Sequence, residues 1–390
     1  MVFHNQADVN FWNKNFIILI LSNLLLYIGV YMLFPVVHKW IVCEWNLSDT
    51  EASLVTLLFG VSMFLPGALN NYLVDTFKRK SVCTRSILLF ALIGLAYPYA
   101  TELWMIYLLR ILQGSLFGIA LMVTGSTLVI DVTPSTYRSK ANWFFAFSGI
   151  IGMLLGVSSG LYLQSLISLT NIMYVSAALS VFSLILVSMI EVCFRAPLDL
   201  PLFSFDRFIL FRNLLPGVNM MTIPLILGTV VVYKSDYFFY LCIAVGFMVF
   251  WLLPRKLKVL IDGRIMITLG YAIISLALYI MCGLDVKGSD ETFYISGFIL
   301  GVGMCAAMTQ FINVMLKLPL HCERGTGYHT YQLLWEIGVM TGISIGCYVC
   351  ISYGCKPLSV SISLCGLGLI FYLLFTHCYF TKRINSRKSL

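Results

Sequence analysis

Apolar runs long enough to cross a bilayer recur from one end of the chain to the other, separated by short polar segments. They fall at approximately 14–36, 50–74, 82–101, 103–130, 140–164, 168–193, 214–233, 235–254, 262–283, 291–317, 327–352 and 356–379. A helix needs roughly 20 apolar residues to traverse a hydrocarbon core of about 30 Å, so each run predicts one span. A membrane β-barrel would instead alternate apolar and polar positions. Stretches such as Val175 to Ile190 are apolar or small on every face, which predicts helices. The pattern therefore predicts an all-α integral membrane protein with twelve transmembrane helices.

Composition agrees, with 60% hydrophobic and 11% charged residues and a mean hydropathy of +0.92, against roughly 25% charged residues in soluble domains. The first run is too long for a signal-peptide core and no small-residue cleavage site follows it, so it is expected to be a retained span. The longest interval between runs is about 20 residues, so no extramembranous domain is expected.

The net charge of +8 is explained by orientation rather than by an anionic or nucleic-acid partner. Twenty of the 25 basic residues fall on the side that carries both termini, only Lys39, Lys234, Lys287 and Lys356 fall on the other, and Arg110 lies inside a run. The positive-inside rule then places both termini in the cytoplasm, with an even number of spans, in a plasma membrane. The twelve cysteines show no metal-like spacing with histidine, so they are expected to be free thiols and no metal or other cofactor is expected. A bridge between Cys350 and Cys355 is the minor alternative.

The glycines reveal an internal repeat. Gly152, Gly156 and Gly160 recur 186 residues later as Gly338, Gly342 and Gly346, Arg138 recurs as Arg324, and Asp75 falls within one residue of Asp262. The chain thus reads as two six-helix bundles, 1–193 and 214–390, joined by a cytoplasmic linker at 194–213. Stripes of small residues let helices approach closely, which predicts tight contacts for the fifth and eleventh spans. Parallel repeats of this type can rock against each other around a midplane site.

Three segments carry a resemblance. Asn71-Tyr72-Leu73-Val74-Asp75-Thr76-Phe77-Lys78-Arg79-Lys80 resembles the G-x-L-x-D-R-x-G-R-K loop of the major facilitator family, matching at Leu73, Asp75, Arg79 and Lys80. Arg110-Ile111-Leu112-Gln113-Gly114 is similar to its R-x-x-Q-G, and Gly152-x-x-x-Gly156-Val157-x-x-Gly160 to its antiporter motif, with Val157 in place of the proline. The resemblance implies gating roles for Asp75, Arg79, Lys80, Asp131 and Arg138. In particular, the loop Asp would sit at the N-terminus of the eleventh helix and the loop Arg would pair with the acid ending the fourth. It also implies a cavity lined by spans 1, 4, 7 and 10.

Charged groups inside a membrane are costly and point to function, so Arg110 and Glu336 stand out. Glu336 lies roughly opposite Gly338 on the helix and shares a face with His329 and Gln332, so it is expected to face the cavity. The alternative for each charge is a structural tie within its own bundle. Substrate-contact candidates are Asn23, Tyr27 and Tyr31, Tyr107 and Gln113, Asn219 and Thr222, Gln310 and Asn313, and Gln332.

The sequence carries no phosphate-binding loop of an ATP-driven pump and no catalytic histidine spacing, so a pump and an enzyme are both disfavoured. The expected function is secondary active transport of a small organic solute by a monomer, as proton-coupled efflux. Uptake of a sugar or metabolite is the runner-up, and a non-transporting membrane sensor is the alternative of another class.

Overall fold

The computed structural model describes residues 11–192, 200–253, 262–284, 290–320, 323–354 and 356–388. Among them there is no strand. Twelve helical spans follow one another: α1 (Lys14–Trp45), α2 (Asp49–Thr76), α3 (Arg79–Tyr99), α4 (Leu103–Asp131), α5 (Arg138–Leu163), α6 (Leu169–Ser188), α7 (Phe211–Tyr233), α8 (Tyr237–Leu252), α9 (Gly263–Leu284), α10 (Asp290–Lys317), α11 (Arg324–Tyr353) and α12 (Pro357–Ser386). Eleven are long and apolar enough to cross a membrane, and α8 is an apolar helix of 16 residues. Part of the expected linker, including Arg195, lies outside the described residues, as do Arg255, Lys256, Lys258, Lys287 and Cys355.

Helix ends follow local chemistry rather than hydropathy. The Asn13 side chain caps α1, and the helix runs nine residues past the apolar run at 14–36 before Asn46 ends it in the left-handed region at φ 52°. Ser48 and Glu51 form a reciprocal capping box that starts α2. Proline supplies no amide to the helical ladder, so α2 tightens into a 3-10 turn at Leu65–Leu69, around Pro66, before resuming at Asn70. The described part of the linker fills the space this break leaves: the Phe208 ring lies against Gly67, and the Ser204 amide donates to the Ala68 carbonyl at 2.9 Å.

Pairing of the helices repeats between the two halves. In the first half α1 contacts α5 and α6, α3 contacts α4 and α6, and α2 contacts α4. In the second half α7 contacts α11 and α12, α9 contacts α10 and α12, and α8 contacts α10 in the same way. The halves meet along α2 with α11 and α5 with α8. The glycine stripes explain the closest approaches. A Cβ on Gly152, Gly156 or Gly160 would stand 2.6 to 2.7 Å from a backbone carbonyl of α1. The repeat glycines press on α7, where a Cβ on Gly342 would stand 2.3 Å from the Leu225 carbonyl.

Candidate functional site

At the end of the molecule formed by the C-termini of α1, α5, α7 and α11 and the N-termini of α2 and α8 lies a cavity of about 690 Å³. Its walls are apolar, with Phe34, Val157, Val231, Tyr240 and Ile343 deepest, and its rim carries His38, Lys39 and Asp49. The His38 ring and the Asp49 carboxylate lie 3.1 Å apart and tie α1 to α2 there. A second cavity of about 20 Å³, which shares six lining residues with the first, reaches Tyr31.

The Tyr31 hydroxyl donates to the carboxylate of Glu336, joining α1 of the first half to α11 of the second. Tyr27 also interacts with this carboxyl and stacks on Tyr31 with ring centroids 5.9 Å apart. Glu336 is fully buried and is the only buried acid among the described residues. Its second oxygen, Oε1, has no hydrogen-bond partner. Another cavity, of only about 10 Å³, is lined by Asn23, Tyr27, Tyr328, Gln332 and Trp335. Glu336 therefore lies at the seam of the two halves, and it lines none of these cavities, which corrects the expectation that it faces one: its carboxyl is covered by Tyr31.

Arg110 is buried and makes no ion pair with Glu336; Phe34 packs on its guanidinium and against Tyr31, which holds Glu336. Its guanidinium lies among Phe34, Phe59 and Tyr97, at 5.4, 5.7 and 5.5 Å from the ring centroids. It donates to Gln113 Oε1 at 3.4 Å, and Nε and Nη2 have no partner. Gln113 also accepts from the Tyr97 hydroxyl at 2.7 Å. Such a group stays buried only with aromatic faces and hydrogen bonds around it, because an unpaired ion loses its hydration.

The remaining candidates divide by position. Asn23 donates to the Phe145 carbonyl and to Ser148 on α5, and leaves Oδ1 unpaired beside the small cavity that Tyr27 and Gln332 also line. Tyr107, expected on the face of Arg110, instead lies on the exposed outer side of α4 at 37% exposure. Asn219 donates to the Gly368 carbonyl, and Thr222 shares a 2.6 Å hydrogen bond with Tyr271, so both tie α7 to its neighbours within one half. Gln310 accepts from Asn313 at 3.3 Å and faces the start of α9. None of these last five lines a cavity described above. The large cavity is formed by α1, α2, α5, α7, α8 and α11, which corrects the expected lining by spans 1, 4, 7 and 10.

The opposite, basic end is closed by charge pairs. Arg79 holds Asp131 through two hydrogen bonds of 2.8 and 2.7 Å from one nitrogen, and reaches Asp75 at 3.1 Å with the other. This matches the Arg-to-acid pair that the loop motif implied. Asp75 departs from its implied place: no bond to the N-terminus of α11 is present among the described residues, and it pairs with Arg207 of the linker at 2.8 Å. Arg207 is drawn there because it also donates to Asn71 at 3.0 Å. Lys80 donates to the Ile190 carbonyl at 2.8 Å beyond α6, and Arg138 lines a polar cavity between the halves. The buried Asn70 and His329 side chains meet at 3.4 Å across α2 and α11.

Two features of this end escaped sequence reasoning. A π-helical turn at Met122–Leu128 re-aims α4 so that Gly125 sits against Gln332 and Tyr328 of α11. Arg207 pairs with an acid 132 residues away, on which no local pattern bears.

Comparison with known proteins accords with this architecture. The sequence pattern of the Major Facilitator Superfamily matches residues 19–255. The chain belongs to that superfamily and is a multi-pass membrane protein of the transporter class. It is similar to the tetracycline resistance protein, class H, of Pasteurella multocida, with 30% identity over 160 residues. The matched segment covers 37% of this chain and 37% of that relative.

Proposed function

We propose that this protein is a secondary active transporter that exports a small organic solute from the cytoplasm in exchange for protons, by alternating access between its two six-helix halves. The observation that carries this reading is Glu336: a buried acid with one unpaired oxygen, held by Tyr31 of the other half, and Tyr31 lines the small cavity that shares six residues with the cavity of about 690 Å³. A carboxyl in that position is charged or neutral according to its environment, and the Tyr31 contact must break when the halves part. Proton binding and the state of the seam are thereby linked. Arg110 supplies a fixed positive charge on the other side of Phe34 and Tyr31.

In this reading the basic end faces the cytoplasm of a plasma membrane, both termini lie on that side, and the structure represents the state closed to the cytoplasm. The halves are 1–193 and 214–390, and the linker at 194–213 contributes Arg207 to the gate. The name of the bacterial relative makes tetracycline the first probe, and the largely apolar cavity suits an amphipathic ring system. Purified protein in proteoliposomes should accumulate tetracycline when a pH gradient is imposed and lose that accumulation when a protonophore collapses it. Equilibration without accumulation, unchanged by the protonophore, would favour uniport over exchange, and accumulation running with the proton flux would favour symport.

The gating roles yield a separate expectation. Asp75 holds Arg79 and Arg207 at once, so Asp75→Asn removes the charge that both guanidiniums share. Substrate affinity should stay near wild type while turnover falls several-fold, since the closed cytoplasmic state loses its pairs. Wild-type turnover at normal abundance would remove Asp75 from the gate.

A further inference from the structure

The basic end contains a second cavity, of about 170 Å³, whose charges do not balance. Arg79, Arg138, Arg207 and Arg324 line it together with Asp131 and Asn142. Asp131 is already engaged by Arg79, and Asp75 by Arg79 and Arg207. Four guanidiniums against these two carboxylates leave a net charge of +2. The surplus resides on Arg138 and Arg324, for which no acidic partner exists among the described residues, and the Nε of each is buried with no hydrogen bond.

Position adds to this imbalance. Arg138 opens α5 and Arg324 opens α11, so the two are repeat-equivalent, come from opposite halves and converge on one cavity. Each stands at a helix N-terminus, where exposed amides and the helix dipole favour an anion. Like charges brought together from two halves oppose closure unless a counter-charge joins them. Asn142 is 1% exposed and lines the same cavity, and its Nδ2 donor makes no hydrogen bond among the described residues.

We infer that this cavity is a binding site for a phosphate-type oxoanion, which bridges Arg138 and Arg324 and so fastens the two halves together at the basic end. Guanidinium forks match the tetrahedral oxygens of phosphate, and the Asn142 amide offers a neutral donor beside them. The phosphate is supplied either by free inorganic phosphate or by the headgroup of an anionic phospholipid. The site is separate from the Glu336 seam and holds whether or not protons drive transport.

The test is thermal unfolding of the purified full-length chain in neutral detergent, with sodium phosphate titrated against sodium chloride at equal ionic strength. A parallel arm uses phosphatidylcholine nanodiscs with and without phosphatidylglycerol. Phosphate should raise the unfolding midpoint saturably, and Arg138→Gln or Arg324→Gln should weaken its apparent affinity about tenfold, the loss expected for one charge-assisted contact. A rise with phosphatidylglycerol but not with inorganic phosphate, lost in the same variants, assigns the same site to a lipid headgroup. Should either arginine variant fold poorly, Asn142→Leu keeps every charge and fills the cavity, and it too should abolish the response. No response in either arm, or an undiminished response in all three variants, overturns the site.

Discussion

Glu336→Gln is expected to abolish accumulation of substrate against its gradient while leaving exchange at equal pH intact. Glutamine keeps the shape of the side chain and its ability to accept from Tyr31, and it removes the group that carries a proton. The measurement is flux in proteoliposomes of a compound that the wild-type protein accumulates, with an imposed pH gradient and, separately, as counterflow without one. Loss of the first with survival of the second identifies Glu336 as the coupling site. Retained gradient-driven accumulation in the Gln variant would leave it a structural acid that ties α11 to α1.

The second large effect concerns the glycine contact between α7 and α11. In Gly342→Leu the Cβ alone meets the Leu225 carbonyl at 2.3 Å, and the rest of the side chain has only backbone to push against. Overfilling a close contact costs about 1–3 kcal/mol, occasionally more, a sizeable share of a typical stability of about 5–15 kcal/mol. Yield of monodisperse protein should fall several-fold. Gly366 provides the control, because nothing lies within 4 Å of its added Cβ, and Gly366→Leu should purify like wild type. Equal yields for both variants would show that the helices separate without penalty.

Much of the fold was legible because a membrane span is specified by composition over a long window, and that signal is additive. The short α8 was found in this way, whereas the two in-register glycine stripes were found by their spacing and repeat. Helix ends and breaks were not. The apolar run stops at residue 36, but α1 continues to Trp45: Lys39 is a good helix former, and Trp40 and Ile41 are buried on the continuing helix. The π turn of α4 depends on what fits against it, namely Gln332 and Tyr328 of α11, and the break that Pro66 makes in α2 is filled by Phe208 from the linker.

The site was legible in its charges and not in their partners. A rotation of 100° per residue sufficed to place Glu336 away from the Gly338 stripe, and the structure has it on the seam with Tyr31. Whether Arg110 meets it depends on how two halves dock. Here Tyr31, read as a candidate in the first span, holds Glu336, while Phe34, which was not, packs between Tyr31 and the Arg110 guanidinium. Polar residues such as Asn219 and Thr222 looked the same in sequence as cavity residues, since a hydrogen bond to a neighbouring helix and one to a solute require the same side chains.

The two faces of α11 give that helix a mechanical role. On one side it is clamped to α7 at three glycines over more than two turns, a contact too close to permit sliding. On the other it bears Glu336 and His329, which grip α1 and α2 of the opposite half. A helix so clamped is stiff, and a force applied at Glu336 cannot be absorbed by local bending. A displacement of α11 at the seam would therefore be shared with α7 and the helices packed on it, as the tilt of a beam rather than the bending of a single strut.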